Sequence, residues 1–270
     1  MLRAIEHIRR MRGGAQAHLM RCRGECAAGD SYYVVKFRNN PQHLRILANE
    51  MLGTGLARRL GLPTPRAEVI EVGAELIELT SELVMQLGSG RVPCQPGRQF
   101  GSQYPGDPRR VAVHDFLPDE RLREVENLDD FIGMLVFDKW TCNTNGRQAI
   151  FLLEPGRSRY QALMIDQGFC FNAGEWNFPD APLRGLYARH RVYERVRGVE
   201  SFAPWLERLE HAITEAVLDE LARQIPPEWY NDDLDGLYRL LKQLDRRRQR
   251  VREWILAAKD SYRQPFPNWK

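Results

Sequence analysis

The hydrophobic period of this chain changes once along its length, and that change limits the folds it can adopt. Before about residue 88, the apolar residues fall in short runs that are rich in β-branched and aromatic side chains, as in strands. These runs are HLMRCR (18–23), SYYVVKFR (31–38), AEVIEV (67–72) and SELVMQL (81–87). After about residue 110, apolar positions recur at helical spacing. We therefore expect a mixed α+β fold, with a small sheet followed by a helical part.

One helix interrupts the strand-rich part. Asn-Asn-Pro at 39–41 supplies side chains for an N-cap and a proline for the first turn. Apolar residues then repeat at helical spacing as far as Arg59. Gly61 and Pro63 are typical of a helix end. The sequence therefore predicts a single helix between the second and third of the strand-like runs.

A segment rich in Gly, Pro, Arg and Ser, residues 88–110, separates the two parts. Its length and composition predict a long loop or hinge, since loops of this length are usually functional or mobile. FGSQYPGDPRR (100–110) within it is either a loop that contacts a substrate or partner, or an ordinary exposed hinge. We predict an amino-terminal lobe (1–88), a hinge (89–110) and a helical lobe (111–270) that carries a hairpin.

Composition excludes several classes of protein. The 270 residues carry a net charge of only +3, so charge alone does not indicate direct nucleic-acid binding. The apolar runs are too short to span a membrane, and the charged start lacks the apolar core of a signal peptide. Five cysteines at scattered positions, with no second pair to join Cys22 and Cys26 in a zinc site, favour a reducing compartment. We expect a cytoplasmic protein.

A lysine and a glutamate stand in the order that phosphate binding requires. Lys36 lies in the strand YYVVKF, where alternation places it on one face with Tyr32 and Val34. A lysine in an apolar strand needs an anionic partner. Glu50 follows in the predicted helix, beside its apolar stripe. We interpret the pair as a phosphate-binding lysine oriented by a glutamate. A lysine on a solvated sheet edge and a glutamate at the boundary of the stripe are the alternatives.

Two further motifs suit a nucleotide and a metal ion. The stretch GGAQAH begins with Gly13 and Gly14, which let a backbone approach phosphate closely, and continues through Gln16 to His18. A plain turn is the alternative, and for His18 a place on the surface. Asp166 ends an apolar run and is followed by glycine two residues later, as in many magnesium sites. An ordinary turn aspartate is the alternative.

The loop NTNGRQ (143–148) follows the helical pattern of 127–142, where a phosphotransferase would place a catalytic aspartate. Asn145 occupies that place, and an amide cannot accept the proton of an acceptor hydroxyl. Asp138 and Asn143 have the spacing of a base and a metal ligand, so Asp138 is a candidate replacement. It is otherwise a buried structural aspartate bonded to loop amides or to an arginine. Arg147 is a candidate for stabilising transferred phosphate.

As an ordered set, these motifs resemble the HipA-like kinases, relatives of the phosphoinositide-3/4-kinase-like group. The resemblance rests on GGAQAHL, VVKF, ANEMLG, DKWTCNTNGRQAIF, MIDQGFCFN and the closing helical stretch IPPEWYNDDLDGLYRLLKQLDRRRQRVREWI. It covers roughly residues 10–257 and implies a bilobal kinase fold, ATP with Mg²⁺, and transfer to a Ser or Thr hydroxyl of a protein. The amino-terminal subdomain of full-length HipA toxins does not precede these motifs, so a role in a toxin–antitoxin system does not follow.

By position, the resemblance implies that Lys36 contacts nucleotide phosphates and that Asp166 binds Mg²⁺. The family's loop carries aspartate near Asn145 and, about five residues later, an asparagine that binds a second metal ion. Here that later position falls at Ala149 or Ile150. Three hypotheses therefore stand: a kinase that acts on a protein, a pseudokinase that binds nucleotide or serves as a scaffold, and another phospho- or nucleotidyl transferase. The arginines of 246–250 predict a solvated helix face.

Overall fold

The computed structural model describes residues 1–24 and 29–270. Most of the turn predicted over 24–30, and Cys26 with it, lies outside the described residues. Within them the cysteines are buried free thiols: Cys22, Cys94, Cys142 and Cys170. None of the helices in this part of the chain has the length and apolar character needed to cross a bilayer.

The described elements are mostly strands in the first part of the chain and mostly helices in the second, as the change of hydrophobic period predicts. The strands are β1 (Leu2–Arg10), β2 (His18–Gly24), β3 (Asp30–Lys36), β4 (Ala67–Val72), β5 (Val84–Leu87), β6 (Gly90–Pro93), β7 (Gly97–Gln103), β8 (Ala112–His114), β9 (Gln148–Leu153) and β10 (Gln161–Ile165). The α-helices are α1 (Ile46–Arg59), α2 (Ala74–Glu78), α3 (Asp130–Thr141), α4 (Ala203–Ala212), α5 (Glu215–Ala222), α6 (Leu234–Arg247) and α7 (Val251–Lys259).

The small sheet that the sequence predicts for the first part of the chain is closed into a barrel. Its strand order is β1-β2-β3-β7-β4, and a short parallel pairing of β1 with β4 closes it. Inside, Tyr33, Val35 and Phe37 belong to one buried cluster. Alternation along β3 therefore leaves Lys36 on the outer face of the barrel, toward α1. The short strands β5 and β6 form a separate pair.

The prediction of one long loop over 88–110 was wrong. This segment contains β6 and β7, and β7 hydrogen-bonds to both β3 and β4. Its glycines suit a crowded strand: a Cβ atom added at Gly101 would lie 2.4 Å from the Ile70 side chain. Glycine in a strand can mark a place where neighbouring groups approach closely, which composition alone does not distinguish from a loop.

The second part packs its helices around α3, which is buried along almost its whole length. Strands β8, β9 and β10 form a three-stranded sheet beside it. The arginine cluster predicted as solvated is only partly so. Arg247 is 8% exposed, lies over the rings of Phe178 and Trp254 at 4.1 and 4.0 Å, and donates to both carboxylate oxygens of Asp180 at 2.6 and 2.8 Å.

The alternative of a surface place for His18 was also wrong, because this side chain is fully buried within the barrel. Its ring meets Phe37 edge-on at 5.7 Å, and its Nδ1 lies 3.1 Å from His7 Nε2. Burial, with smaller effects of His7 and Arg10, lowers the pKa of His18 to about 4 from 6.5.

This lowered pKa predicts a loss of stability in mild acid. Between pH 6.5 and 4 the unfolded chain binds a proton at His18 that the folded chain does not bind. We expect the free energy of unfolding to fall by about 1–2 kcal/mol on going from pH 7 to pH 5 through this group. Urea unfolding at the two pH values, compared between wild type and His18→Gln, measures the contribution. The exposed His211→Gln serves as control, and equal pH dependence of all three proteins would contradict the assignment.

Candidate active site

Lys36 is held between two carboxylates. It ends β3, is 7% exposed, and its Nζ donates to Glu50 Oε1 at 2.5 Å and to Asp166 Oδ1. Burial disfavours the charged amine, but the carboxylates of Asp166 and Glu50 outweigh it and raise the pKa of Lys36 above its usual value. The alternative of a lysine on a solvated edge is therefore excluded.

Glu50 connects this lysine to the backbone after Asp166. It is buried in α1, and its two carboxylate oxygens accept the backbone N–H groups of Gln167 at 3.0 Å and of Gly168 at 2.9 Å. A glutamate at the edge of the apolar stripe would contact solvent instead. Glu50 thus fixes both the cation of Lys36 and the direction of the chain leaving β10.

Asp166 follows β10 directly and has a left-handed backbone, with φ +62°. Burial opposes its charge, but Lys36 outweighs burial and holds the pKa of Asp166 below its ordinary value. The side chain is 34% exposed, so a charged carboxylate reaches the surface of the site. Mg²⁺ is commonly held by one or two carboxylates together with nucleotide phosphates, and Asp166 fits that use. No group of three His, Cys, Asp or Glu side chains suited to a metal ion occurs in residues 1–24 and 29–270.

Asp138 and Arg147 form an ion pair inside the protein. Asp138 is 0% exposed, and Arg147 donates to both of its oxygens, with Nε–Oδ2 at 2.8 Å. The Arg147 Nη1 also donates to Ile165 O and Gln167 Oε1, each at 2.7 Å. Both charges are thus paired, as burial requires. The structure thus agrees with the alternative of a buried structural aspartate bonded to an arginine, and both side chains lie away from the surface.

The loop itself presents only amides and a hydroxyl. Asn143, expected as a metal ligand, is buried, and its Nδ2 donates to Asp138 Oδ1 at 2.9 Å while its Oδ1 accepts Asn145 N at 3.1 Å. Asn145 is exposed, and its Oδ1 accepts Gly146 N at 2.9 Å. Thr144 N donates to Phe169 O at 3.1 Å, which places the loop beside the segment after Asp166. Asn143 therefore braces the loop, whereas Asn145 is exposed, as are Gly146 and Gln148.

The glycine-rich start forms the turn between β1 and β2. Gly13 and Gly14 are exposed there, and Gly13 has φ +120°. A Cβ atom at Gly14 would lie 2.9 Å from Gln42 Nε2, in the segment that leads into α1. Gly13 has open space around it, with nothing within 4 Å of an added Cβ atom, whereas Gly14 packs against the Gln42 side chain.

The other two residues predicted in that stretch are occupied elsewhere. Gln16 exchanges two hydrogen bonds of 2.8 Å with the backbone of Gln86, so its amide joins the turn to the β5–β6 pair. His18 faces the barrel interior. The structure thus brings Lys36, Glu50 and Asp166 together but not Gln16 or His18.

Asn49 is a residue that sequence reasoning missed. It is 0% exposed, and its Nδ2 donates to the carbonyl oxygens of Gly168, Cys170 and Ala173 at 2.9, 3.0 and 2.8 Å. Its Oδ1 accepts Trp176 Nε1 at 2.7 Å. The available signal was an asparagine beside Glu50 on the buried side of the predicted helix, because a buried amide requires partners.

A lysine joined to a helix glutamate and to an aspartate at a strand end is the arrangement of kinase-like folds. The chain belongs to the HipA-like kinase family, whose sequence model matches residues 4–261. No curated protein sequence matches the chain significantly.

Solved kinase structures have a similar fold. The crystal structure of the Helicobacter pylori proinflammatory kinase CtkA is 14% identical, with a TM-score of 0.59 and 94% of each chain covered. The Golgi casein kinase is 14% identical, with a TM-score of 0.53 over 97% of this chain and 75% of that one. Its structure with Mn/ADP bound gives 12% identity and a TM-score of 0.53, over 97% and 73%. At these identities the similarity concerns the fold alone.

Proposed function

We propose that this protein is a kinase that uses ATP and Mg²⁺ to phosphorylate a Ser or Thr hydroxyl of a protein. The observation that carries the proposal is the position of Lys36 between Glu50 and Asp166. In kinases such a lysine contacts nucleotide phosphates and such an aspartate binds the metal ion. The Golgi casein kinase structure with Mn/ADP bound supports nucleotide and divalent metal for a chain of this fold.

In this proposal the barrel and the helical part are the two lobes, joined after β7, and ATP binds between them. Gly13 and Gly14 cover the phosphates, and Lys36 contacts them. Asp166 holds the cation, which supplies charge neutralisation on the transferring phosphoryl group. Asn145 orients the acceptor hydroxyl but leaves its proton to solvent or to the phosphate. Transfer is then slow rather than absent, since phosphoryl transfer depends mainly on positioning and electrostatics.

A nucleotide-binding pseudokinase is the second candidate, favoured by the loop at 143–148. Asn145 is its exposed side chain at the expected base position, and Asp138 is sealed by Arg147. Incubation with ATP, Mg²⁺ and a protein acceptor, followed by mass spectrometry, tests the choice. A mass gain of phosphate supports the kinase, and a gain of nucleoside monophosphate indicates a nucleotidyl transferase. Nucleotide binding without any transfer identifies the pseudokinase.

Asp166→Asn should abolish most of the dependence of nucleotide binding on metal. We expect the affinity for ADP with Mg²⁺ to fall roughly tenfold or more, because an amide is a weaker cation ligand than a carboxylate. Affinity for ADP without metal should change little, since Lys36 and Glu50 remain. Isothermal titration calorimetry with and without Mg²⁺ measures both values. Asp107→Asn is the control, since Asp107 is also a carboxylate in an ion pair, with Arg109. An unchanged Mg²⁺-ADP affinity in Asp166→Asn would count against the metal role of Asp166.

A further inference from the structure

The segment after Asp166 has an unfavourable backbone that neighbouring contacts must hold. Phe171, Asn172, Ala173 and Trp176 have φ values of 60°, 58°, 56° and 52°. Such left-handed conformations are unfavourable for residues other than glycine and persist only where the surroundings fix them. Over residues 166–176 the segment has no α-helix or strand, only a 3₁₀ helix at Cys170–Asn172 and a bond from Cys170 N to Gln167 O at 3.0 Å, so neighbouring elements must supply further contacts.

The α1 helix supplies four of these contacts through the side-chain amide of Asn49. The Asn49 side chain bonds to carbonyl groups at three points of this segment, Gly168, Cys170 and Ala173, and to the indole N–H of Trp176. These bonds bracket the left-handed run. No other polar side chain in the hydrogen-bonding pattern of the described residues makes four such contacts to the segment.

Asn49 and its neighbour Glu50 hold the same residue from both of its backbone groups. Glu50 accepts the N–H of Gly168, and Asn49 donates to its carbonyl oxygen. A Cβ atom at Gly168 would lie 2.6 Å from Ile46, so the backbone here packs directly on α1. Asp166 is only two residues before Gly168. A shift of the Gly168 backbone would therefore move the Asp166 carboxylate as well.

We infer that Asn49 is a positioning residue, which holds segment 167–176 on α1 and thereby directs Asp166 toward the cation; this rests on the proposed function. Groups that orient metal ligands from behind typically change metal affinity by about 10- to 100-fold when they are replaced. Arg45 adds a second anchor, since it lies 4.1 Å over the Trp176 ring and donates to Gly174 O at 3.1 Å.

The test compares Asn49→Asp with Asn127→Asp. The ionised carboxylate that Asn49→Asp introduces has nearly the same shape as the amide but cannot donate to the three carbonyls. Asn127 makes a similar pattern at the opposite end of β10, where it donates to Ala162 O at 3.0 Å and accepts Ala162 N at 2.8 Å. Hydrogen–deuterium exchange of the Gln167 and Gly168 amides is the main readout, and Mg²⁺-dependent ADP affinity is the second.

We expect the two amides to exchange roughly tenfold faster in Asn49→Asp and at the wild-type rate in Asn127→Asp. The Mg²⁺-ADP affinity should fall about tenfold or more only in Asn49→Asp. Wild-type exchange at both amides, with similar losses of thermal stability in the two variants, would overturn the inference. If Asn49→Asp does not fold, Trp176→Phe removes one of the four bonds and should speed the exchange about threefold, whereas no change would overturn it.

Failure of the proposed function gives a different result. A wild-type protein that binds no nucleotide would remove the kinase proposal, but amide exchange would still decide whether Asn49 holds the segment. Faster exchange in Asn49→Asp with an unchanged Mg²⁺-ADP affinity would show that Asn49 holds the segment but would overturn its effect on the metal site.

Discussion

Asn145→Asp should raise the rate of phosphoryl transfer by about 10²- to 10⁴-fold, the range that a general base contributes. An aspartate at this exposed position can accept the proton of the acceptor hydroxyl, which the native amide cannot do. Single-turnover transfer from ATP to a protein acceptor, measured with Mg²⁺ in excess, reports the chemical step. Nucleotide affinity should stay near the wild-type value, because the change lies outside the Lys36 and Asp166 contacts.

The loop should keep its shape in this variant. Asn145 uses its Oδ1 as an acceptor for Gly146 N, and an aspartate oxygen accepts the same bond. On either side the loop is held independently, by Thr144 N on Phe169 O and by Arg147 Nη1 on Ile165 O. The expected gain is therefore a chemical effect and not the result of a rearranged loop.

Asn177→Asp is the matched control for this gain. Asn177 is exposed, and its Oδ1 also accepts one amide hydrogen, from Asn172 Nδ2 at 2.6 Å. The Asn177→Asp substitution introduces the same negative charge into the neighbouring segment, outside the loop 143–148. Equal rates in both variants would mean that Asn145 does not face the acceptor, and the loop would then lose its assigned role.

The Lys36, Glu50 and Asp166 arrangement was predictable because each residue belongs to a regular pattern. Strand alternation put Lys36 on one face, and helical spacing put Glu50 beside the stripe that packs on the sheet. The position of Asp166 at the end of an apolar run predicted a carboxylate at the end of a strand. What these patterns could not supply was the bond from Glu50 to Gln167 and Gly168, since it joins residues more than a hundred positions apart.

For Asp138 the sequence left two roles open, a relocated base and a buried aspartate bonded to loop amides or to an arginine, and its contacts with Asn143 and Arg147 agree with the second. Spacing suggested a base with a metal ligand, whereas burial turned the three side chains toward one another. The closure of the sheet into a barrel was not predicted from the sequence either. Strand β1 is mostly exposed and rich in charged residues, with Ala4 its buried member, so its short parallel pairing with β4 left little trace in the sequence.

Asp138→Asn should lower the free energy of unfolding by about 3–5 kcal/mol, because it leaves the buried guanidinium of Arg147 without its counter-charge. The pair is sealed on both sides: Asp138 is 0% exposed, and Arg147 is 3% exposed. A Cβ atom at Gly185 would lie 2.3 Å from Asp138 Cβ, so the backbone there packs closely against this side chain. Urea unfolding at pH 7 measures the loss.

The same variant separates a structural Asp138 from a relocated base. If Asp138 only holds Arg147, transfer at saturating nucleotide and Mg²⁺ should decline no further than the folded fraction does. Asp107→Asn, which breaks the exposed pair with Arg109, should leave stability nearly unchanged. A variant as stable as wild type but with transfer lost would instead make Asp138 the base. Because Arg147 also donates to Ile165 O and Gln167 Oε1, loss of its counter-charge should loosen the backbone on both sides of Asp166. Mg²⁺-dependent ADP binding should therefore weaken together with stability, which a missing base alone would not cause.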